Sequence, residues 1–409
     1  MAPLASFLAV ASLVSLVTAV PSPKIGITAG TTVHQVRNPS YVANGPLALY
    51  KTYLKYGVTP SENLRKAVER SGFLNKRSEA TVKATPTDNV DDAYTIPVSI
   101  GTPPQVLQLN LDTGSSDLWV FSTETESDDV DGQKLYNPSS SSTSKNMAGY
   151  TWSVSYGDGS SANGDIYTDK VSVGGITVSK QAVELAQSVS TSFTSETASD
   201  GILGMGFDNI NKASPSAVQT FFGNAQSKLN SPLFTADLKY HAVGSYGFGF
   251  INSSLYTGSI AYEDVDTSEG WWSWTSSGYA IGSGSFVSTN VTGVADTGTT
   301  LLLLPEDIVE AYYNKVSGSS YSNTYDGFVF PCSSTVPPFT FGVGKLRIKI
   351  PASYLNYGPA EAGSSTCFGG IQLNLAVGTS IFGDVALKSA FVVFNGASKP
   401  TIGWANKKL

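Results

Sequence analysis

The feature that most constrains this 409-residue chain is a repeat. "LDTGSSDLWVF", Leu111 to Phe121, and "ADTGTTLLLLP", Ala295 to Pro305, set Asp112 and Asp296 in one frame: a small or apolar approach, Asp-Thr-Gly, two hydroxyl residues and an apolar exit. A single Asp-Thr-Gly is a common surface turn. Two copies 184 residues apart, about one domain length, point to an internal duplication. A second matched pair supports this. "DGILGMGF" (Asp200–Phe207) follows the first motif and "TSIFGDVAL" (Thr379–Leu387) the second; Leu203 lies 91 residues beyond Asp112, and Phe382 lies 86 beyond Asp296. Two half-sized lobes, each carrying an acid on a tight loop held by an apolar-apolar-Gly segment, imply pseudo-twofold symmetry that brings the acids together at the interface.

The approach to the first loop is strand-like, because Leu107, Leu109 and Leu111 alternate with polar residues. Similar short runs recur between Gly, Ser and Asn turns at Tyr94–Ile100, Trp152–Tyr156, Ile166–Val173, Tyr246–Ile251, Leu346–Ile350 and Phe391–Phe394, which predicts a mostly β chain. Helical candidates in the body are few: Ser216–Phe222 and Pro305–Val316.

The N-terminal end differs in composition. The first twenty residues carry no charged side chain, and the apolar run ends at Val17-Thr18-Ala19, the pattern of a secretory signal peptide over 1–19. The run is short and is followed by Pro21 and Pro23, which argues against a membrane span. Residues 20–77 hold nine Lys and Arg against two Glu, a charge of +7, whereas the rest of the chain stands at −14. A basic segment joined to an acidic body suggests electrostatic docking. Within it, "TPSENLRKAVER" predicts a helix start, with Thr59 as cap, Pro60 at the first helical position and Glu62 following. Lys76-Arg77 forms a dibasic processing site, which leaves a body of 78–409 divided into lobes over 78–255 and 256–409.

Elimination narrows the chemistry. The body has one histidine, His241, so neither a His/Cys zinc cluster nor a Ser-His-Asp triad is expected. No phosphate-binding Gly-Lys-Thr loop occurs, and Arg347 is the body's single arginine, so nucleic acid is disfavoured as a partner. No metal and no cofactor is expected. The paired carboxylates remain. Held a hydrogen bond apart, they cannot both ionise cheaply, so one stays protonated over an acid range. One can then act as base towards water and the other as acid towards a carbonyl oxygen. Gly114 and Gly298 permit the close backbone approach this needs.

On these motifs, with "YLNYGP", "STCFGGIQ" and "SIFGD", the chain resembles the pepsin-like aspartic endopeptidases of the fungal secreted kind from about Asp92 to Trp404. The resemblance implies a bilobal fold with the cleft between the lobes, Asp112 and Asp296 as the catalytic pair, and protein and peptide substrates for a secreted monomer. It implies that the Thr113 and Thr297 hydroxyls lock the loops together and that Ser115 and Thr299 bond the outer carboxylate oxygens. It makes "SVSYGDGSSANG" (Ser153–Gly164) a flap, with Tyr156 bonding towards Trp119 and Gly157 and Asp158 meeting the substrate. Phe193, Leu203 and Ile371 become candidate pocket walls or, equally, core. Residues 20–77 become an inhibitory propeptide whose Lys55-Tyr56 covers the carboxylates. Large apolar residues are expected on either side of the cleaved bond, with lysine accepted on its amino-terminal side through Asp158. Cys332 and Cys367 are the two cysteines, and secretion favours a disulfide between them. Asn252 and Asn290 fit the glycosylation sequon. Two other readings stand beside this one: a catalytically silent relative that binds proteins in the same cleft, and a carbohydrate-binding β protein suggested by "EGWWSW" (Glu269–Trp274).

Overall fold

The computed structural model describes residues 30–37, 43–71, 94–155, 161–194 and 197–409. The expected signal peptide, Lys76-Arg77 and the expected flap residues Tyr156, Gly157 and Asp158 lie outside the described residues.

The alternating leucines do form a strand. Gln105–Asp112 pairs antiparallel with Tyr94–Ile100, and Leu107, Leu109 and Leu111 all point into the core. These strands belong to a nine-stranded sheet that makes up most of the first half. The second half has a seven-stranded sheet and a four-stranded one. The duplication is visible in the strand pairing around each Asp-Thr-Gly. Asn110 to Asp112 runs parallel to Ile202 to Gly204, and Leu118 to Val120 returns antiparallel to the same segment. In the second half Gly293 to Ala295 runs parallel to Ser380 to Phe382, and Leu302 and Leu303 return antiparallel to it. Each apolar-apolar-Gly segment thus wedges between the strand that enters an aspartate loop and the strand that leaves it. The glycines are required by space: a Cβ on Gly204 would lie 2.6 Å from the Asp117 nitrogen, and one on Gly383 would lie 2.4 Å from the Leu301 carbonyl oxygen.

A six-stranded sheet joins the halves, in the order Thr31–His34, Ala242–Phe248, Leu233–Lys239, Ala390–Asn395, Thr401–Asn406, Thr257–Asp264. Aromatic side chains knit it to the core, with Phe234 stacked on Phe394 at 4.6 Å and Trp272 edge-on to both. Its outermost strand, Thr31–His34, comes from the basic N-terminal segment. Trp272 and Trp274 are buried and Trp271 meets Tyr56 at 5.5 Å, so "EGWWSW" serves packing and presents no open aromatic platform.

The same segment supplies two helices. Gly45–Lys55 starts at Asn44, whose side chain accepts from the Leu47 N–H at 2.8 Å. It buries Leu47, Leu49, Tyr53 and Leu54 against Leu301, Leu303, Val329, Phe368 and Ile381. Each such side chain contributes roughly 1.5–3 kcal/mol relative to exposure. Glu62–Arg70 follows, and Arg70 pairs with Glu361 of the body at 2.8 Å. Its cap is Ser61, which accepts from the Leu64 N–H, and not Thr59. The helix expected over 216–222 also moves, to Phe221–Ala225. Thr220 caps it by accepting from the Gly223 N–H, while Asn211 Oδ1 takes the Val218 N–H and holds the preceding residues out of helix. Glu306–Tyr313 falls within the span predicted for it. Cys332 and Cys367 are disulfide-bonded, and closing a loop of this length is worth about 3.5–4 kcal/mol on the chain-entropy account. Among the described residues no helix is long and apolar enough to cross a membrane.

Candidate active site

Asp112 ends the strand Gln105–Asp112, and Asp296 directly follows the strand Val287–Ala295, so each acid is set by a strand end. The two loops meet through a reciprocal lock. The Thr113 N–H donates to Thr297 Oγ1 at 3.1 Å, and the Thr297 N–H donates to Thr113 Oγ1 at 3.0 Å. Each hydroxyl in turn donates across the interface, Thr113 to the Ala295 carbonyl at 2.8 Å and Thr297 to the Leu111 carbonyl at 2.7 Å. Both threonines are buried, so removing either hydroxyl would strand backbone groups without water.

The carboxylates are held in matching frames. Asp112 Oδ1 accepts from the Gly114 N–H at 2.8 Å and Oδ2 from the Ser115 hydroxyl at 2.6 Å. Asp296 Oδ1 accepts from the Gly298 N–H at 2.9 Å and Oδ2 from the Thr299 hydroxyl at 2.6 Å. A Cβ on Gly114 would come within 2.6 Å of the Asp296 carboxylate, and one on Gly298 within 2.2 Å of Asp112 Oδ1. Only glycine lets the loops close this far.

A cation lies between the two acids. Lys55 Nζ stands 2.6 Å from Asp112 Oδ1 and 2.8 Å from both oxygens of Asp296. The Tyr56 hydroxyl donates to Asp296 Oδ2 at 3.0 Å. Burial lowers the Lys55 pKa, but the Asp112 and Asp296 charges outweigh it and raise it overall. Burial pushes Asp112 above the usual carboxylate range, with Lys55 opposing and the Asp296 charge reinforcing. At Asp296 burial also acts upward, but Lys55, Thr299 and Asp112 together hold it below that range. Among the described residues no cluster of His, Cys, Asp and Glu suits a metal ion.

The other expected site residues divide. Trp119 is buried, stacked on Trp152 at 5.9 Å and met edge-on by partly buried Phe193 at 5.6 Å. Leu203 and Ile371 are fully buried, in register with Leu111 and Leu302 respectively, and so form the floor beneath the loops. Asn290 is exposed; the Asn252 side chain accepts from the Ser254 N–H and hydroxyl. Sequence reasoning missed a group behind the first loop, where Asp117, Glu184 and Asn211 are buried together. These residues come from three separate elements, so no local pattern announces them.

The sequence model of the eukaryotic aspartyl protease family matches residues 93–407. Endothiapepsin of Cryphonectria parasitica is 57% identical over 387 residues, spanning 94% of this chain and 92% of that protein. Penicillopepsin-3 of Penicillium janthinellum is 50% identical over 374 residues, 91% of each chain. Among solved structures, the aspartic proteinase of Irpex lacteus has the same fold, with a TM-score of 0.63 at 23% identity over 78% of this chain and 95% of its own.

Proposed function

The chain belongs to the eukaryotic aspartyl protease family and is an acid endopeptidase, and from that premise we propose that Asp112 and Asp296 are its catalytic pair and that residues 20–77 hold it silent until acid releases them. The observation that carries the first part is the matched hydrogen-bond frame. Every donor to Asp112 has a counterpart at Asp296, and the loops are locked by each other's threonines.

With Lys55 gone, the two carboxyl groups share one proton, a behaviour known for aspartic proteases as a class. A water held between them loses a proton to the ionised member as its oxygen bonds to the peptide carbon. The protonated member gives its proton to the carbonyl oxygen, and a neutral gem-diol results. Collapse then breaks the C–N bond, with a proton passing to the departing amine. No covalent enzyme intermediate forms. Phe193 supplies an apolar wall beside Trp119, and Leu203 backs it from the core. The Thr113–Thr297 lock keeps the acids in register through both steps.

The ammonium of Lys55 lies where that water would sit, and its helix buries apolar side chains in the second half. This supports an intramolecular inhibitor. Since Lys55 supplies part of what holds Asp296 below its ordinary pKa, that part adds to docking at neutral pH and is lost as pH falls through the lowered value. General protonation of the −14 body near pH ~4 removes further attraction for the +7 segment. Conversion near Arg77 follows, in a monomeric, secreted enzyme. Asp158 extends the specificity reading: its carboxylate would meet a substrate lysine whose stem lies along the apolar wall.

The test is to hold purified precursor at pH 7 and at pH 3.5, following N-terminal sequence and hydrolysis of matched peptides carrying leucine or lysine before the cleaved bond. Expected are silence at pH 7, conversion and pepstatin-sensitive cleavage at pH 3.5, and lysine cleavage that Asp158→Thr selectively weakens at pH 5. Equal hydrolysis by the unprocessed chain at both pH values would overturn the inhibitory role.

A further inference from the structure

Asp117 closes the loop that Asp112 opens. Its carbonyl accepts from the Gly204 N–H at 2.9 Å, and the next residue, Met205, donates its N–H to the Asp112 carbonyl at 2.7 Å. One segment therefore pins both ends of the loop. The Asp117 side chain turns inward, where Oδ1 accepts from Asn211 Nδ2 at 2.7 Å and from the Lys212 N–H at 2.7 Å. Glu184 reaches the same place from the strand Ile176–Val189, in register with Trp119, and is only 1% exposed. Its Oε1 accepts from Asn211 Nδ2 at 3.0 Å. Asn211 is itself fixed, since its Oδ1 accepts from the N–H groups of Ala213 and Val218.

The donors then run out. Asn211 has two amide hydrogens and already serves Asp117, Glu184 and the Ser116 carbonyl. Glu184 Oε2 is buried and meets no donor among the described residues. Its carboxyl and that of Asp117 both accept from the one Asn211 nitrogen, and two buried carboxylates this close do not both ionise. The donor that satisfies the pair is a proton on one of them. The other charged groups facing it are Lys212, which favours Asp117 ionised, and Asp112, which disfavours it.

We infer that Asp117 and Glu184 hold one proton between them as a positioning element for Asp112, and that losing it loosens the loop and shuts the enzyme down on the neutral side of its pH range.

The direction of titration agrees. Burial pushes Asp117 up to about 6 against the pull of Lys212. Burial and then the Asp117 charge push Glu184 well above the carboxylate range. Asp117 gives up its own proton first and leaves the one shared with Glu184; because the Glu184 pKa is raised above the unfolded value near ~4, the stability that proton adds is fully present below that value and lost as pH rises through the raised one. This loss is separate from titration of the catalytic pair, because it acts on the loop and not on the reacting atoms.

The inference rests on Asp112 being catalytic. The experiment compares mature wild type with Glu184→Gln and Asp117→Asn, reading kcat/KM from pH 3 to 8 and the activity recovered at pH 4 after incubation at each pH. Either amide replaces the shared proton with an N–H that cannot be lost. The midpoint of the neutral-side loss should rise by about one pH unit or more in both variants. A merely structural role would lower activity or stability without moving that midpoint. An unmoved midpoint in both variants overturns the proposal, as does failure of both to fold at pH 4, where an isostere of the protonated acid should fit. If Asp112→Asn remains active, the catalytic reading itself has failed; if it is inactive while the midpoint stays put, only the acid pair is lost.

Discussion

Five residues beyond each Asp-Thr-Gly aspartate the two halves part. The first loop leaves through Asp117, which enters a buried acid pair with Glu184. The second leaves through Leu301, fully buried in an apolar cluster shared with Leu49, Tyr53 and Leu54 of the N-terminal segment. Inside the loops the halves are interchangeable, with glycine N–H and hydroxyl donors at the same positions and similar distances. The inner frame is dictated by what two carboxylates need in order to approach. The outer support has no such requirement, and each half solved it with different chemistry. One support depends on a proton; the other depends on burial and is indifferent to pH. Lys55 adds a second asymmetry, since it contacts both oxygens of Asp296 but one of Asp112.

The largest expected effect tests the equality of the inner frames. Asp112→Asn and Asp296→Asn should each lower kcat by on the order of 10⁴-fold or more, and the double variant should be little worse than either, because the acids act as one unit. A single variant retaining a few per cent of wild-type kcat would make the halves functionally unequal. Lys55 comes next. Lys55→Met in the precursor leaves two buried carboxylates facing each other without a cation, a change worth about 3–5 kcal/mol in segment docking. The precursor should convert at higher pH and hydrolyse peptide at pH values where wild type is silent. An unaltered pH dependence of conversion would remove Lys55 from the mechanism. The smallest effect sharpens the contrast between the supports. Leu301→Ala should destabilise the precursor by about 2–3 kcal/mol through lost packing. In thermal unfolding that loss should be the same at pH 5.5 and pH 7, where the segment stays docked. A penalty confined to one pH would mean that the second support also titrates.

Much of this was legible in the sequence because the inner frame permits few alternatives. Two Asp-Thr-Gly loops and two apolar-apolar-Gly segments at similar offsets implied that each segment holds a loop, and the strand wedges at Gly204 and Gly383 are how they do it. Tyr94–Ile100 and Leu346–Ile350 read correctly because one face of each is buried and the alternation is clean. The helix Gly45–Lys55 went unread although Asn44 and Pro46 mark its start. It lies in a groove that buries nearly every residue, so it lacks the polar face that periodicity detects. The acid pair was invisible for another reason: Asp117 and Glu184 are 67 residues apart, and only the sheet brings them together.

The outermost strand of the shared sheet has a consequence for timing. Thr31–His34 and the two helices grip the body without help from the peptide bonds that follow them. While the chain is continuous, Lys55 returns to the carboxylates as an intramolecular group, at an effective concentration of roughly millimolar or above, and an acid pulse that ends early is simply reversed. A cut near Arg77, as proposed, would turn the same contacts into a bimolecular equilibrium. Occupancy then depends on how much fluid surrounds the molecule. In a crowded vesicle the severed segment rebinds; released into a large volume, it drifts away and does not return. Cleavage records the event, and dilution makes the record permanent.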